Sequence, residues 1–220
     1  MEVQKAILKT LIEGNNRWVS SHDKFYFEPF IECQHPLITM VSCSDARVHS
    51  TIFFEDPTDK IFLVTNIGNQ IAPSKGSIDF GVYCLKTPIL LILGHTKCGA
   101  IKTALNDYSS VPRDTKNTLD HLHIPLSMVK RSDNFEKMWL EGVEKNVDYQ
   151  VSEAMKMYGH IVESGKLTII GAVYDFTNAY GKGYGRVIIR NINGKNDKTH
   201  IKNHPILKNL PEKIKEKALL

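Results

Sequence analysis

The chain has 220 residues, 42% apolar and 24% charged, a composition that excludes wholesale disorder and suits one hydrophobic core. Its longest aliphatic run, residues 89–93, is far short of the about 20 residues a membrane-crossing helix needs. The N-terminal MEVQKAILKT lacks an apolar stretch of signal-peptide length, so we expect a cytosolic protein with no membrane partner. Of the net charge of +4, all resides in residues 195–220, where seven Lys face three acids. No aromatic–basic interleaving accompanies this charge, so it reads as a solvated helix and no nucleic-acid partner is expected.

In chain order, residues 3–19 carry Ile7, Leu8, Leu11, Ile12 and Trp18 at helical spacing, interrupted by Gly14-Asn15-Asn16. Residues 20–36 are irregular and aromatic (Phe25, Tyr26, Phe27, Phe30), a composition that calls for packing, against a second subunit for example. Short apolar runs at 37–42, 61–65, 89–93 and 167–173 predict buried parallel strands, and 187–192 a last strand. Helices are predicted over 77–86, 99–106, 119–129 and 143–163. The alternation defines an α/β fold: a mostly parallel β-sheet flanked by helices, with an N-terminal helical arm and a basic C-terminal tail. One domain over 1–194 and an extension over 195–220 are expected.

Chemistry concentrates in two segments, Cys43-Ser44-Asp45-Ala46-Arg47 and His95-Thr96-Lys97-Cys98-Gly99. Each follows a predicted strand, and ligands in open α/β sheets bind beyond the carboxyl ends of strands. Two Cys and one His form a donor set suited to zinc, with a fourth position left over. Asp45, held by Arg47, either accepts a hydrogen bond from a group at that position or ligates the metal and closes the site. Without metal, Cys43 and Cys98 could instead be a redox pair, which leaves Asp45 and Arg47 without a role. Cys33 and Cys84 read as packing residues.

C-x-D-x-R followed some fifty residues later by H-x-x-C resembles the β-class carbonic anhydrases. The resemblance extends over residues 8–194: Leu11 to Trp18 resembles the family's N-terminal helix, Leu63 to Asn69 its V-R-N-I-A-N segment, and Gly94 to Gly99 its G-H-S/T-x-C-G segment. Residues 143–147, Gln150-Val151 and residues 171–175 also match. The resemblance implies one Zn2+ per chain on Cys43, His95 and Cys98, with Asp45 and Arg47 as the catalytic dyad. It implies reversible hydration of CO2 to bicarbonate by zinc-bound hydroxide, and a homo-oligomer that is at least a dimer. Substrate-binding positions carried over are Gln34, Phe62, Ile67, Phe80 and Gly99, with Gln34 reaching the pocket at a dimer interface and Phe80 standing where many members have Tyr. Members that close the site with Asp on zinc carry Trp and Arg where this chain has Met40 and Thr65, so the open form is expected. The nearest rival on the same scaffold is a hydrolase of carbonyl sulfide or carbon disulfide.

Overall fold

A computed structural model describes residues 1–219, which divide into two compact units, Met1–His35 and residues 36–219. The first holds α1 (Glu2–Ser21) and α2 (Lys24–Phe27). Helix α1 runs unbroken through Gly14-Asn15-Asn16, and none of its residues is buried. Asp23 starts α2 by accepting the backbone N–H of Phe25 at 2.9 Å and of Tyr26 at 3.3 Å. The aromatic stretch packs on itself. Trp18 stacks on His22 at 3.7 Å between centroids, and Tyr26 meets Trp18, Phe27 and Phe30 edge-on.

The second unit is built on β1 (Ile38–Cys43), β2 (Ile61–Asn66), β3 (Ile89–His95), β4 (Thr168–Asp175) and β5 (Arg186–Ile192). The sheet order is β2-β1-β3-β4-β5, parallel except for the antiparallel β4–β5 pair. Between the strands lie α3 (Lys75–Asp79), α4 (Gly99–Ala104), α5 (Arg113–Asp120), α6 (His123–Ser127) and α7 (Phe135–Glu163). The predicted strands are all present, each within two residues of its expected ends. A π-helical turn, Phe80–Cys84, completes the helix expected over 77–86.

Two helix predictions need correction. The helix expected over 119–129 is two helices, α5 and α6. Pro125 has no N–H to give to the carbonyl four residues back and is tolerated only in a first turn, so the chain restarts its helix at His123. Helix α7 begins eight residues earlier than its apolar pattern suggested, because Asn134 caps it by accepting the Lys137 N–H at 3.0 Å.

The core lies on both faces of β1 and β3: Val41, Leu90 and Ile92 are fully buried with Val151 and Tyr158 of α7, while Met40 and Leu93 are buried in a separate cluster with Ala172, Ile52 and Phe53. Two glycines let α7 lie close. A Cβ on Gly94 would stand 2.6 Å from Val147 Cγ2, and one on Gly171 would stand 2.7 Å from Val151 Cγ2. The C-terminal segment forms α8 (Lys198–Asn203) and α9 (Glu212–Ala218). Ile201 and Leu207 pack with Ile192 of β5, and Leu219 bridges to Ile189.

Candidate metal centre

Strand β1 ends at Cys43 and its neighbour β3 ends at His95, so parallel pairing delivers a thiol and an imidazole to one edge of the sheet. Three residues on, Cys98 caps the start of α4. The chain turns between them at Lys97, which takes a left-handed conformation with φ of 56°. A non-glycine residue held there carries strain, a feature that concentrates at functional sites. Cys43, His95 and Cys98 are buried, and their ligand atoms lie within 4.8 Å of one another.

The donor set fits a metal ion. The two sulfurs are 3.9 Å apart, too far for a disulfide and near the about 3.8 Å that two thiolates on one tetrahedral zinc would span. His95 Nδ1 lies 2.9 Å from the Thr96 carbonyl, which can only accept, so the proton sits on Nδ1. The lone pair is therefore on Nε2, which is buried with no hydrogen-bond partner. An orphaned imidazole nitrogen facing two thiols is costly unless a cation is there to receive it. Hydrogen bonding from Cys98 lowers the Cys43 thiol to about 5, helped by His95 and the Gly68 N–H and opposed by burial. Cys98 is raised, because its hydrogen bond to Cys43, its burial and the Cys43 charge all favour the thiol.

Asp45 stands beside this cluster. Its Oδ1 accepts from Arg47 Nε at 2.8 Å and from the Arg47 backbone N–H at 3.0 Å, and its Oδ2 accepts from Arg47 Nη2 at 2.7 Å. The Arg47 hydrogen bonds hold the Asp45 carboxyl down at about 2. Oδ2 is also 3.6 Å from His95 Nε2. The fork is braced from two sides. Arg47 donates to Lys97 O at 3.2 Å, its guanidinium lies 4.7 Å from the Phe176 ring centroid, and Phe176 stacks on His95 at 5.7 Å. Behind Cys98, Trp139 Nε1 donates to the Cys98 carbonyl at 2.8 Å, and the Lys97 ammonium lies over the Trp139 ring at 4.7 Å while pairing with Glu136.

The substrate positions are distributed unevenly. Ile67 follows the residue paired with Cys43 and is 37% exposed next to the cluster. Gly99 opens α4, and a side chain added there would meet nothing within 4 Å. Phe62 and Phe80 pack on each other at 5.8 Å, but Phe62 lies opposite Thr39, four residues along β1 from Cys43. At about 3.3 Å per residue that is about 13 Å, so these two rings do not line the cluster of their own chain. Gln34 is exposed and lies in the N-terminal unit. Met40 is fully buried in the sheet and Thr65 is exposed. Phe176 and Trp139 were missed from sequence. Phe176 could have been found, since it follows β4 at the same sheet edge as His95, whereas Trp139 lay outside the predicted helix.

An α/β sheet that presents two cysteines, a histidine and an arginine-locked aspartate at its carboxyl edge is the frame of an enzyme whose site could hold a metal ion. The carbonic anhydrase family model matches residues 38–182. A carbonic anhydrase of Synechococcus elongatus is 28% identical over 76% of this chain and 68% of its own length. Carbonic anhydrase 2 of Mycobacterium tuberculosis is 27% identical over 84% of this chain and 92% of its own. Among solved structures, a Coccomyxa β-carbonic anhydrase in complex with acetazolamide superposes with a TM-score of 0.73 at 22% identity, covering 89% of this chain and 90% of that one. One of two tetrameric β-carbonic anhydrases from Sordaria macrospora gives 0.69 at 21%, covering 84% and 96%. The chain belongs to the β-class carbonic anhydrase family.

Proposed function

We propose that the protein is a zinc-dependent carbonic anhydrase that interconverts CO2 with bicarbonate and a proton, with its active site in the open form. The observation that carries this reading is the Asp45–Arg47 fork: both carboxylate oxygens are engaged by arginine, leaving Cys43, His95 and Cys98 as three ligands of a four-coordinate ion. When bound, zinc supplies a Lewis acid that lowers the pKa of a water in the remaining position to near 7.

The chain's own residues do the rest. Asp45, ionised at any working pH, can only accept a hydrogen bond, so an attacking oxygen that donates its proton to Asp45 presents a lone pair to CO2. Arg47 keeps Asp45 charged and holds both of its carboxylate oxygens. Phe176 lies against the guanidinium and steadies it through a cation–ring contact at 4.7 Å. Ile67 offers an apolar surface for a nonpolar linear substrate.

We assign Phe62, Phe80 and Gln34 to the site of a second subunit in a homodimer or larger assembly. The exposed Phe80 ring and the distance from its own cluster support this, as does the tetrameric state of the Sordaria relatives. Among the described residues no helix is long and apolar enough to cross a membrane.

Stopped-flow CO2 hydration across neutral to alkaline pH, on protein of measured zinc content, tests the proposal. Activity at pH 7 that disappears in Asp45→Ala is expected. Activity only at alkaline pH would mean that Asp45 occupies the metal. Full zinc with no CO2 hydration at any pH would favour the carbonyl sulfide or carbon disulfide hydrolase.

A further inference from the structure

The peptide unit joining Ile67 to Gly68 is held from both sides. Its N–H donates to Cys43 Sγ at 3.4 Å. Its carbonyl accepts from the side-chain amide of Gln70, with Nε2 2.8 Å from Ile67 O. In a planar trans peptide the C=O and N–H point in opposite directions, so a group that fixes the carbonyl also aims the N–H. Gln70 Nε2 makes a second donation, to Thr118 O at 3.0 Å. Two carbonyl partners leave one orientation for the amide, with its NH2 facing both. Its Oε1 is then buried without a partner, in a residue only 1% exposed. An unpaired buried carbonyl costs stability that an apolar side chain of similar size would not lose.

We propose that Gln70 is a positioning residue for the metal centre, holding the Ile67–Gly68 peptide so that its N–H donates to the Cys43 sulfur. The inference rests on the reading that Cys43 ligates the metal. A donated N–H draws charge from the sulfur and stabilises it as thiolate, and hydrogen bonds in series polarise one another. Partners of metal ligands typically contribute 10–100-fold in metal affinity. Gln70 acts one peptide further out, so its loss belongs at the low end, about tenfold.

The rest of the loop is clamped by other groups, which confines the effect of Gln70 to this one peptide. Asn66 exchanges two hydrogen bonds with the Gln70 backbone, each 2.7 Å. Asn146 Nδ2 donates to Gly68 O at 2.9 Å, and Gln150 Oε1 accepts the Ile71 N–H at 2.8 Å. Gly68 itself has φ of +82°, and a Cβ there would stand 3.3 Å from Leu122, so the approach of its N–H to sulfur depends on glycine.

The test compares full-length wild type with Gln70→Met and, as a control of equal burial in the same network, Gln150→Met. Zinc affinity is measured by chelator competition. Protein loaded with NMR-active cadmium is examined for scalar coupling between the metal and the Gly68 amide proton across the N–H···S bond. Expected is a coupling in wild type that is lost in Gln70→Met, with a displaced cadmium resonance and about tenfold weaker zinc binding. Gln150→Met is expected to keep the coupling even where it loses thermal stability. The inference is overturned if Gln70→Met keeps both the coupling and the zinc affinity, or if Gln150→Met abolishes the coupling equally, because Gln70 is then a packing residue. Wild type that takes up no cadmium overturns the zinc reading as well.

Discussion

Removing Arg47 should close the active site by letting Asp45 reach the metal. Asp45 Oδ2 is 3.6 Å from His95 Nε2. A nitrogen and an oxygen sharing one tetrahedral zinc at about 2.0–2.1 Å stand about 3.3–3.4 Å apart, so a freed carboxylate has only a small rotation to make. What holds it back is the fork, at 2.8 and 2.7 Å. Hydrogen bonds to charged groups are worth ~1.5–3 kcal/mol each, or ~3–6 kcal/mol for the two, but the Arg47 side chain is 53% exposed and solvent screening takes about half, leaving about 2–3 kcal/mol for the pair. At 1.36 kcal/mol per factor of ten, the balance shifts toward Asp45 on the metal by roughly 30- to 150-fold. Without Arg47 the Asp45 carboxyl rises from about 2 toward its ordinary range, yet it stays ionised at pH 7, so protonation cannot account for a loss. Arg47→Ala is therefore expected to lose CO2 hydration at pH 7 and regain it as pH rises, because hydroxide then outcompetes the carboxylate. Arg47→Lys keeps the charge but not the two-pronged geometry and should fall between. Stopped-flow rates across neutral to alkaline pH decide the matter. An Arg47→Ala enzyme with a wild-type pH profile would refute the argument.

Three further outcomes follow from the same geometry. Asp45 is depressed to about 2 from 3.8, so its contribution to stability is complete above about pH 4 and is lost as pH falls toward 2; urea melts of Asp45→Asn should show a deficit that shrinks over that window, and a constant deficit would contradict the assignment. Trp139→Phe removes the 2.8 Å bond to the Cys98 carbonyl, which still accepts from Lys102 N at 3.0 Å, so ~1 kcal/mol is the expected hydrogen-bond loss in a chemical melt. Gly171→Ala places a Cβ 2.7 Å from Val151 and 2.9 Å from Val147, and should cost about 1–3 kcal/mol by forcing α7 off the sheet; an unchanged melting temperature would show that the helix gives way freely.

The strands were legible because a parallel sheet buried on both faces writes itself as short apolar runs, and the ligands were legible because they sit one, two and five residues past those runs. Helix boundaries were not, since Asn134 and Pro125 act through caps and missing donors that leave the apolar period untouched. The pairing of Asp45 with Arg47 was readable from spacing, but its two-pronged form needed the left-handed turn at Lys97 that brings a carbonyl to Arg47. Phe62 and Phe80 were picked as pocket residues by motif alone. Strand register, which a motif does not carry, puts them at the far end of β1 from Cys43. Gln70 had no signal, because its effect passes through a peptide bond of its neighbours.

Topology explains why the chemistry gathers where it does. Four parallel strands end at one edge of the sheet, and each gives that edge something different. After β1 come a thiol and the aspartate–arginine fork, and after β2 the Gly68 N–H that meets that thiol. After β3 come the imidazole and the second thiol, and after β4 the Phe176 ring that lies against both His95 and Arg47. Strand β5 runs the other way, so its end points to the opposite edge and contributes nothing to the centre. There the chain instead folds back, burying Ile201 and Leu207 against Ile192 and bridging Leu219 to Ile189. One reversed strand thus separates the reactive edge of the sheet from the edge where the basic C-terminal segment docks, and substitutions in α8 or α9 should act on stability without touching the metal ligands.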